Sequence, residues 1–137
     1  MFDKPYETQL KLWCDFRSKL EDLADPFGAV IDFYKSSPYT RIQADPWDKT
    51  TWPTGWELLK ENLYCDFCRV LGWYYSLQLT ERFSDSNFEI HIITAEEKSY
   101  RYLLLVDEYV LGISDDDKVI KKQQLPINYQ PQTTYSM

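Results

Sequence analysis

The spacing of apolar residues changes once along the chain, and this change most constrains the fold. Up to about residue 80 the apolar side chains recur every three or four positions, as on one face of a helix; Leu10, Trp13, Leu20 and Leu23 show this in the first segment. From Phe88 the spacing becomes two, because Phe88, Ile90 and Ile92 alternate with their neighbours. The sequence therefore predicts the α+β class, with helices first and a small sheet after them.

The helices carry recognisable start signals. The first is predicted from Tyr6 to Ala24, and Asp25 with Pro26 suits the N-cap and first position of a second helix. A third should begin at Gly55 or Trp56, since Thr54 and Glu57 form the T-x-x-E pattern of a capping box. The proline- and tryptophan-bearing segment 36–54 is predicted to be an ordered loop.

Three apolar segments, 87–94, 99–107 and 109–113, are predicted to be strands. Their short connections favour an antiparallel meander of three or four strands, with the helix that carries Cys65 packed on it. The acidic run 115–117 lacks the spaced ligands of a calcium loop and is predicted to be a solvated turn. The polar tail 125–137 is expected to pack internally or against a neighbouring subunit.

Composition excludes several classes of protein. With 137 residues, the chain fits one domain, 1–137, and its 44% apolar content argues against disorder. It has no apolar run near the ~20 residues of a membrane helix and no apolar core of a signal peptide, which predicts a cytoplasmic protein without membrane partners. A net charge of -7 opposes nucleic-acid binding. Three cysteines, an odd number, are predicted to be thiols.

The run "YCDFCRVLGW" places Cys65 three residues before Cys68, and His91 is the only histidine in the chain. Any mechanism that needs an imidazole must use His91, although a lone histidine on a strand is often structural. Asp107 follows sixteen residues later, near the end of the next predicted strand. The three residue types needed for thiol catalysis thus occur in the order Cys, His, Asp.

The runs "YCDFCRVLGW", "FEIHII" and "LLLVD" together resemble the core of the transglutaminase-like branch of the papain-like cysteine enzymes, over roughly residues 53 to 113. The resemblance implies Cys65 as nucleophile, His91 as general base and acid, and Asp107 as the group that orients His91. It implies acyl transfer or hydrolysis on an amide or peptide, without a cofactor or metal. The oxyanion donors expected are the backbone N–H of Cys65 and the region of Tyr64.

Two structural conditions follow from this assignment. If residues 55 to 79 form one helix, Cys65 lies mid-helix and packs as an ordinary buried residue; a second helix with Asn62 as N-cap would place it in the first turn. For His91 and Asp107 to meet, the strands must turn near Ser99, over 97–100. We expect that turn, with both side chains on one sheet face and the Cys65 sulfur within about 4 Å of the imidazole.

Alternative functions remain open. A domain with this core and five tryptophans also suits a non-enzymatic protein-interaction module or a homo-oligomer. The run "DPWDKTTWPTGWELL" resembles segments of small proteins of tailed phages. Cys65 and Cys68 with His91 and a carboxylate form a third candidate, a zinc site. A thioredoxin-like redox pair is less favoured, because the residues before Cys65 suggest helix rather than the end of a strand. On one helix face, cysteines three apart are commonly core residues.

Overall fold

The computed structural model describes residues 1–96, 98–116 and 118–137, which form two compact units, Met1–Asp85 and Ser86–Met137. Every α-helix among the described residues lies in the first unit, and the β-sheet lies in the second. The α+β class predicted from the change in periodicity is therefore confirmed. The single domain remains a prediction.

Four α-helices build the first unit: α1 (Tyr6–Leu20), α2 (Pro26–Lys35), α3 (Gly55–Glu61) and α4 (Asp66–Gln78). The predicted caps are confirmed. Asp25 accepts the N–H of Gly28 at 2.9 Å, and Thr54 with Glu57 makes both bonds of the capping box. Local side-chain chemistry thus determines where α2 and α3 begin. The predicted loop between them contains one short 3₁₀ turn, Lys49–Thr51.

A buried polar contact joins three of these helices. The Ser76 hydroxyl of α4 accepts the indole N–H of Trp13 from α1 at 2.9 Å and lies 3.0 Å from the Tyr34 hydroxyl of α2. All three residues are at most 2% exposed. A Cβ added at Gly72 would come within 2.6 Å of the Tyr34 ring, so glycine permits this close approach of α2 to α4.

The segment between α3 and α4 is not helical, and this determines the position of Cys65. Asn62 is the C-cap of α3 in the left-handed conformation, with φ 54°, so it ends one helix instead of starting the next. The N-cap of α4 is Cys65 itself. The predicted break is present and Cys65 lies at a helix start, but the N-cap role expected for Asn62 was wrong. The reason is that asparagine tolerates the left-handed region, which suits a helix end.

The second unit is a five-stranded antiparallel sheet in the order β4-β3-β2-β1-β5. Its strands are β1 (Phe88–Thr94), β2 (Tyr100–Val106), β3 (Tyr109–Leu111), β4 (Ile120–Lys121) and β5 (Thr133–Ser136). The three predicted strands are present, and β4 and β5 are additional. Because β5 pairs with β1, the tail docks internally. Asp117 of the predicted acidic turn lies outside the described residues.

The register of the first hairpin differs from the one expected. Thr94 lies opposite Tyr100 and His91 opposite Leu103, so the register differs by four residues from the one that would set His91 opposite Asp107. The N–H of Ala95 donates to the carbonyl of Ser99 at 2.9 Å and closes the hairpin beyond the pair Thr94–Tyr100. Glu97, at the start of the predicted turn, lies outside the described residues. Within the described part of the chain, no helix has the length and apolar character needed to cross a bilayer.

Candidate functional site

Cys65 is positioned by extended backbone on one side and a helix on the other. Tyr64 forms an isolated parallel bridge with Tyr39, in which the Tyr64 N–H donates to the Pro38 carbonyl at 2.8 Å and its carbonyl accepts the Thr40 N–H at 3.0 Å. The chain then enters α4, and the Cys65 sulfur accepts the N–H of Cys68 at 3.4 Å. The thiol therefore occupies the place of a capping side chain at a helix N-terminus.

This environment favours the thiolate. A hydrogen bond from the Cys68 thiol, joined by the backbone N–H groups of Cys68, Gln43 and Ala44, lowers the pKa of Cys65 to about 5, although burial opposes the shift. The same interaction and burial raise the pKa of Cys68. The partial positive charge of a helix N-terminus acts in the same direction on Cys65. The contact between the two thiols therefore favours the thiolate on Cys65 and the protonated form on Cys68.

The donors around the sulfur differ from those expected. In the region of Tyr64, which was expected to supply one oxyanion donor, the backbone N–H of Tyr64 itself donates to the Pro38 carbonyl. Gln43 and Ala44, from the loop before α3, supply backbone groups instead. Sequence alone gave no signal for these two, because a backbone N–H has no residue signature and the loop is distant along the chain.

The segments that flank Cys65 expose large apolar side chains. Tyr39 is 56% exposed, Ile42 76% and Leu63 43%. The Tyr39 hydroxyl donates to the Asp66 carboxylate at 3.3 Å, and the Arg69 guanidinium lies 5.2 Å from the centre of its ring. Polar contacts therefore hold the Tyr39 ring in place while much of it faces solvent. We call Tyr39, Ile42 and Leu63 the apolar flank.

His91 lies in the second unit on β1, on the sheet face that also carries Leu103. Its Nδ1 shares a 2.6 Å hydrogen bond with the Tyr129 hydroxyl, and Glu89 Oε1 lies 3.5 Å from its Nε2. Burial lowers the pKa of the imidazole, while Glu89 partly opposes that change. The neutral ring is therefore the favoured form. Its Nε2 is buried and has no hydrogen-bond partner among the described residues.

Asp107 does not orient His91. It lies opposite Asn87, where its N–H donates to the Asn87 carbonyl at 2.9 Å and its carboxylate accepts the Asn87 N–H at 2.8 Å. A four-residue offset at roughly 3.3 Å per residue separates it from the position opposite His91 by about 13 Å. Asp107 has φ 52° and closes the turn between β2 and β3. The assigned role was wrong because the carboxylate is bonded to the N–H of Asn87, four residues away from the position opposite His91.

The three predicted catalytic residues thus lie in three different local environments. Cys65 is brought together with Cys68, and His91 with Glu89 and Tyr129. Cys65 and His91 belong to different units, and their pairing remains a prediction. Glu89 was detectable in principle, since residues two apart share a strand face, whereas Tyr129 comes from the tail and gave no local signal. The described residues contain no group of three His, Cys, Asp or Glu side chains able to hold a metal ion.

The helix expected before Cys65, which made a redox pair less favoured, is absent. Tyr64 has extended backbone, and Cys65 starts the helix. The transglutaminase-like resemblance stays an expectation based on residues 53 to 113. Comparison of the chain with protein-family models, curated proteins and solved structures gives no match.

Proposed function

We propose that the protein is a cysteine acyl transferase or hydrolase of the transglutaminase-like kind, in which Cys65 forms a covalent acyl intermediate. One observation carries this proposal: the Cys65 sulfur caps the N-terminus of α4 and accepts the N–H of Cys68. A thiolate held by these donors is the nucleophilic form of cysteine. The hydrogen-bond donor in its own helix turn favours this form of Cys65.

The reaction follows from the chemistry of a thiolate. The sulfur attacks an acyl carbonyl, the carbonyl oxygen becomes an oxyanion, and collapse expels the leaving group to give a thioester on Cys65. Backbone N–H groups near the sulfur, those of Gln43 and Ala44, are the candidates to stabilise the oxyanion. Water or an amine then takes the acyl group and restores the thiol. An ester leaves without a strong acid, whereas an amide nitrogen must be protonated, so esters should react faster.

Acylation of the reduced protein by p-nitrophenyl acetate tests the proposal. Cys65 is only 4% exposed, so a small acyl group is the suitable probe. We expect a burst of nitrophenol release and an acetyl group on Cys65 by peptide mass spectrometry. Cys14→Ser should keep the burst, because Cys14 is exposed and distant in sequence from the site. Cys65→Ser should abolish it; an equal burst in that variant would overturn the proposal.

The apolar flank favours a second candidate, a non-enzymatic module that binds an apolar segment of a protein partner. Tyr39, Ile42 and Leu63 expose large apolar side chains on the two segments beside Cys65. An apolar peptide series assayed by fluorescence anisotropy separates the two functions. A module would bind with equal affinity after Cys65→Ser and lose affinity after Ile42→Asp, without acylation in either protein.

A further inference from the structure

The two cysteines of α4 have the arrangement needed for exchange between a dithiol and a disulfide. The extended backbone of Cys65, φ -86° and ψ 175°, turns its side chain over the first turn of the helix. There the sulfur accepts the backbone N–H of Cys68 at 3.4 Å. The Cys65 sulfur is therefore held against the backbone of Cys68 before any bond forms between the two cysteines.

The two sulfurs also differ in access. Cys65 is 4% exposed and Cys68 is 0% exposed, so a reagent that approaches from solvent reaches Cys65 first. A redox pair needs this division: one thiolate attacks, and a protected thiol resolves the intermediate. Cys14, the third cysteine, is on α1 and exposed.

We propose that Cys65 and Cys68 form a redox-active dithiol that exchanges with disulfides of small thiols or of protein cysteines. This activity goes beyond acyl transfer and does not depend on it. The same sulfur serves both reactions, so oxidation of the pair also stops acylation by Cys65.

The exchange balances in two steps. The Cys65 thiolate attacks one sulfur of a disulfide, breaks the S–S bond, and leaves a mixed disulfide and one thiolate. Cys68 then gives its proton to that released thiolate or to water and attacks the Cys65 sulfur, which expels the second thiolate. The protein loses two electrons and forms the Cys65–Cys68 bond, and the external disulfide is reduced to one thiol and one thiolate, which takes a proton from water.

Equilibration of the full-length Cys14→Ser protein in buffers of graded glutathione to glutathione disulfide ratio tests this activity. After acid quenching and alkylation, we expect an intramolecular Cys65–Cys68 disulfide whose fraction rises with oxidation and reverses on reduction. Cys68→Ala in the same background should instead trap one glutathione on Cys65, because the resolving thiol is absent. Cys65→Ala should prevent both products. Circular dichroism of each variant checks that it is folded.

Absence of the disulfide at the oxidising end in folded protein would overturn the proposal, as would glutathione on Cys68 in the Cys65→Ala variant at the rate seen for Cys65. This failure is distinguishable from failure of the acyl transfer. Acetylation is measured on fully reduced protein, where the disulfide is absent, and disulfide formation is measured without any acyl donor.

Discussion

At the scale of single residues, the surroundings of Cys65 distinguish it from the other two thiols. Its sulfur has donors from its own helix turn and from the loop at Gln43 and Ala44. Cys68 sits one turn later and is the donor in that pair. The pKa values of these two cysteines are therefore shifted in opposite directions, because Cys65 accepts hydrogen bonds and Cys68 donates one.

The first prediction concerns the pH dependence of alkylation. We expect the iodoacetamide rate of Cys65 to be half-maximal near pH 5, where an ordinary thiol would be half-maximal near pH 8.5. Cys68→Ala should move the midpoint upward, since the Cys68 thiol is the largest cause of the shift. Site mapping by mass spectrometry gives each rate, and exposed Cys14 reports whether the reagent is active. A midpoint for Cys65 at the ordinary value would contradict the assigned thiolate.

Residue identity predicted some features of the site and not others. The cap at Thr54 was predicted from its neighbours, whereas the helix start at Cys65 was not, because Cys65 itself is the N-cap and the expected N-cap Asn62 ends the preceding helix. The role given to Asp107 failed for a different reason. The expected register, with His91 opposite Asp107, and the observed one, with His91 opposite Leu103, differ by an even number of residues, so each side chain keeps its sheet face in both. Apolar periodicity therefore does not determine the register.

At the scale of elements, the helices of the first unit are joined by a buried hydrogen-bond centre as well as by apolar packing. Ser76 of α4 links Trp13 and Tyr34. Sequence periodicity predicted that α1, α2 and α4 have buried faces. It did not predict this centre, because its members are 42 and 63 positions apart along the chain. The pairing of β5 with β1 was not predicted either, because the tail is polar and its partner strand is distant in sequence.

The second prediction follows from that centre. Ser76→Ala should destabilise the first unit by about 1–3 kcal/mol, because the Trp13 indole N–H loses its acceptor in a buried site. Urea unfolding followed by tryptophan fluorescence measures the change, since all five tryptophans lie in residues 1–85. The matched control is Ser84→Ala, an exposed serine, which should change stability by less than about 0.5 kcal/mol. Equal stability of the two variants would show that the Ser76 contact contributes nothing.

At the scale of the whole molecule, the ionisable groups of interest are divided between the units. The thiolate chemistry lies in Met1–Asp85, and the only histidine lies in Ser86–Met137. The helical unit can therefore serve as an internal reference when the histidine of the sheet unit is titrated. The tail contributes directly to the surroundings of that histidine, because Tyr129 contacts His91 and β5 pairs with its strand.

The third prediction is acid sensitivity of the sheet unit through His91. Burial lowers the folded-state pKa of His91 below its unfolded value of about 6.5, so the unfolded state binds more protons between the two values. Stability from this group is complete above the unfolded pKa and is lost as pH falls through the folded one. Amide hydrogen exchange of peptides from β1 and β2 should therefore show protection that declines with acid in the wild type.

The variant His91→Gln tests the assignment, because glutamine keeps a polar group beside Tyr129 but does not titrate. Comparison of the two proteins at the same pH removes the intrinsic pH dependence of exchange. We expect their difference in β1 and β2 protection to shrink as pH falls below about 6.5, because the wild type alone then loses stability by protonation of His91. Peptides from α1 and α2 are the reference and should show a difference that does not vary with pH. A constant difference in the sheet peptides would mean that His91 keeps its ordinary proton affinity in the fold.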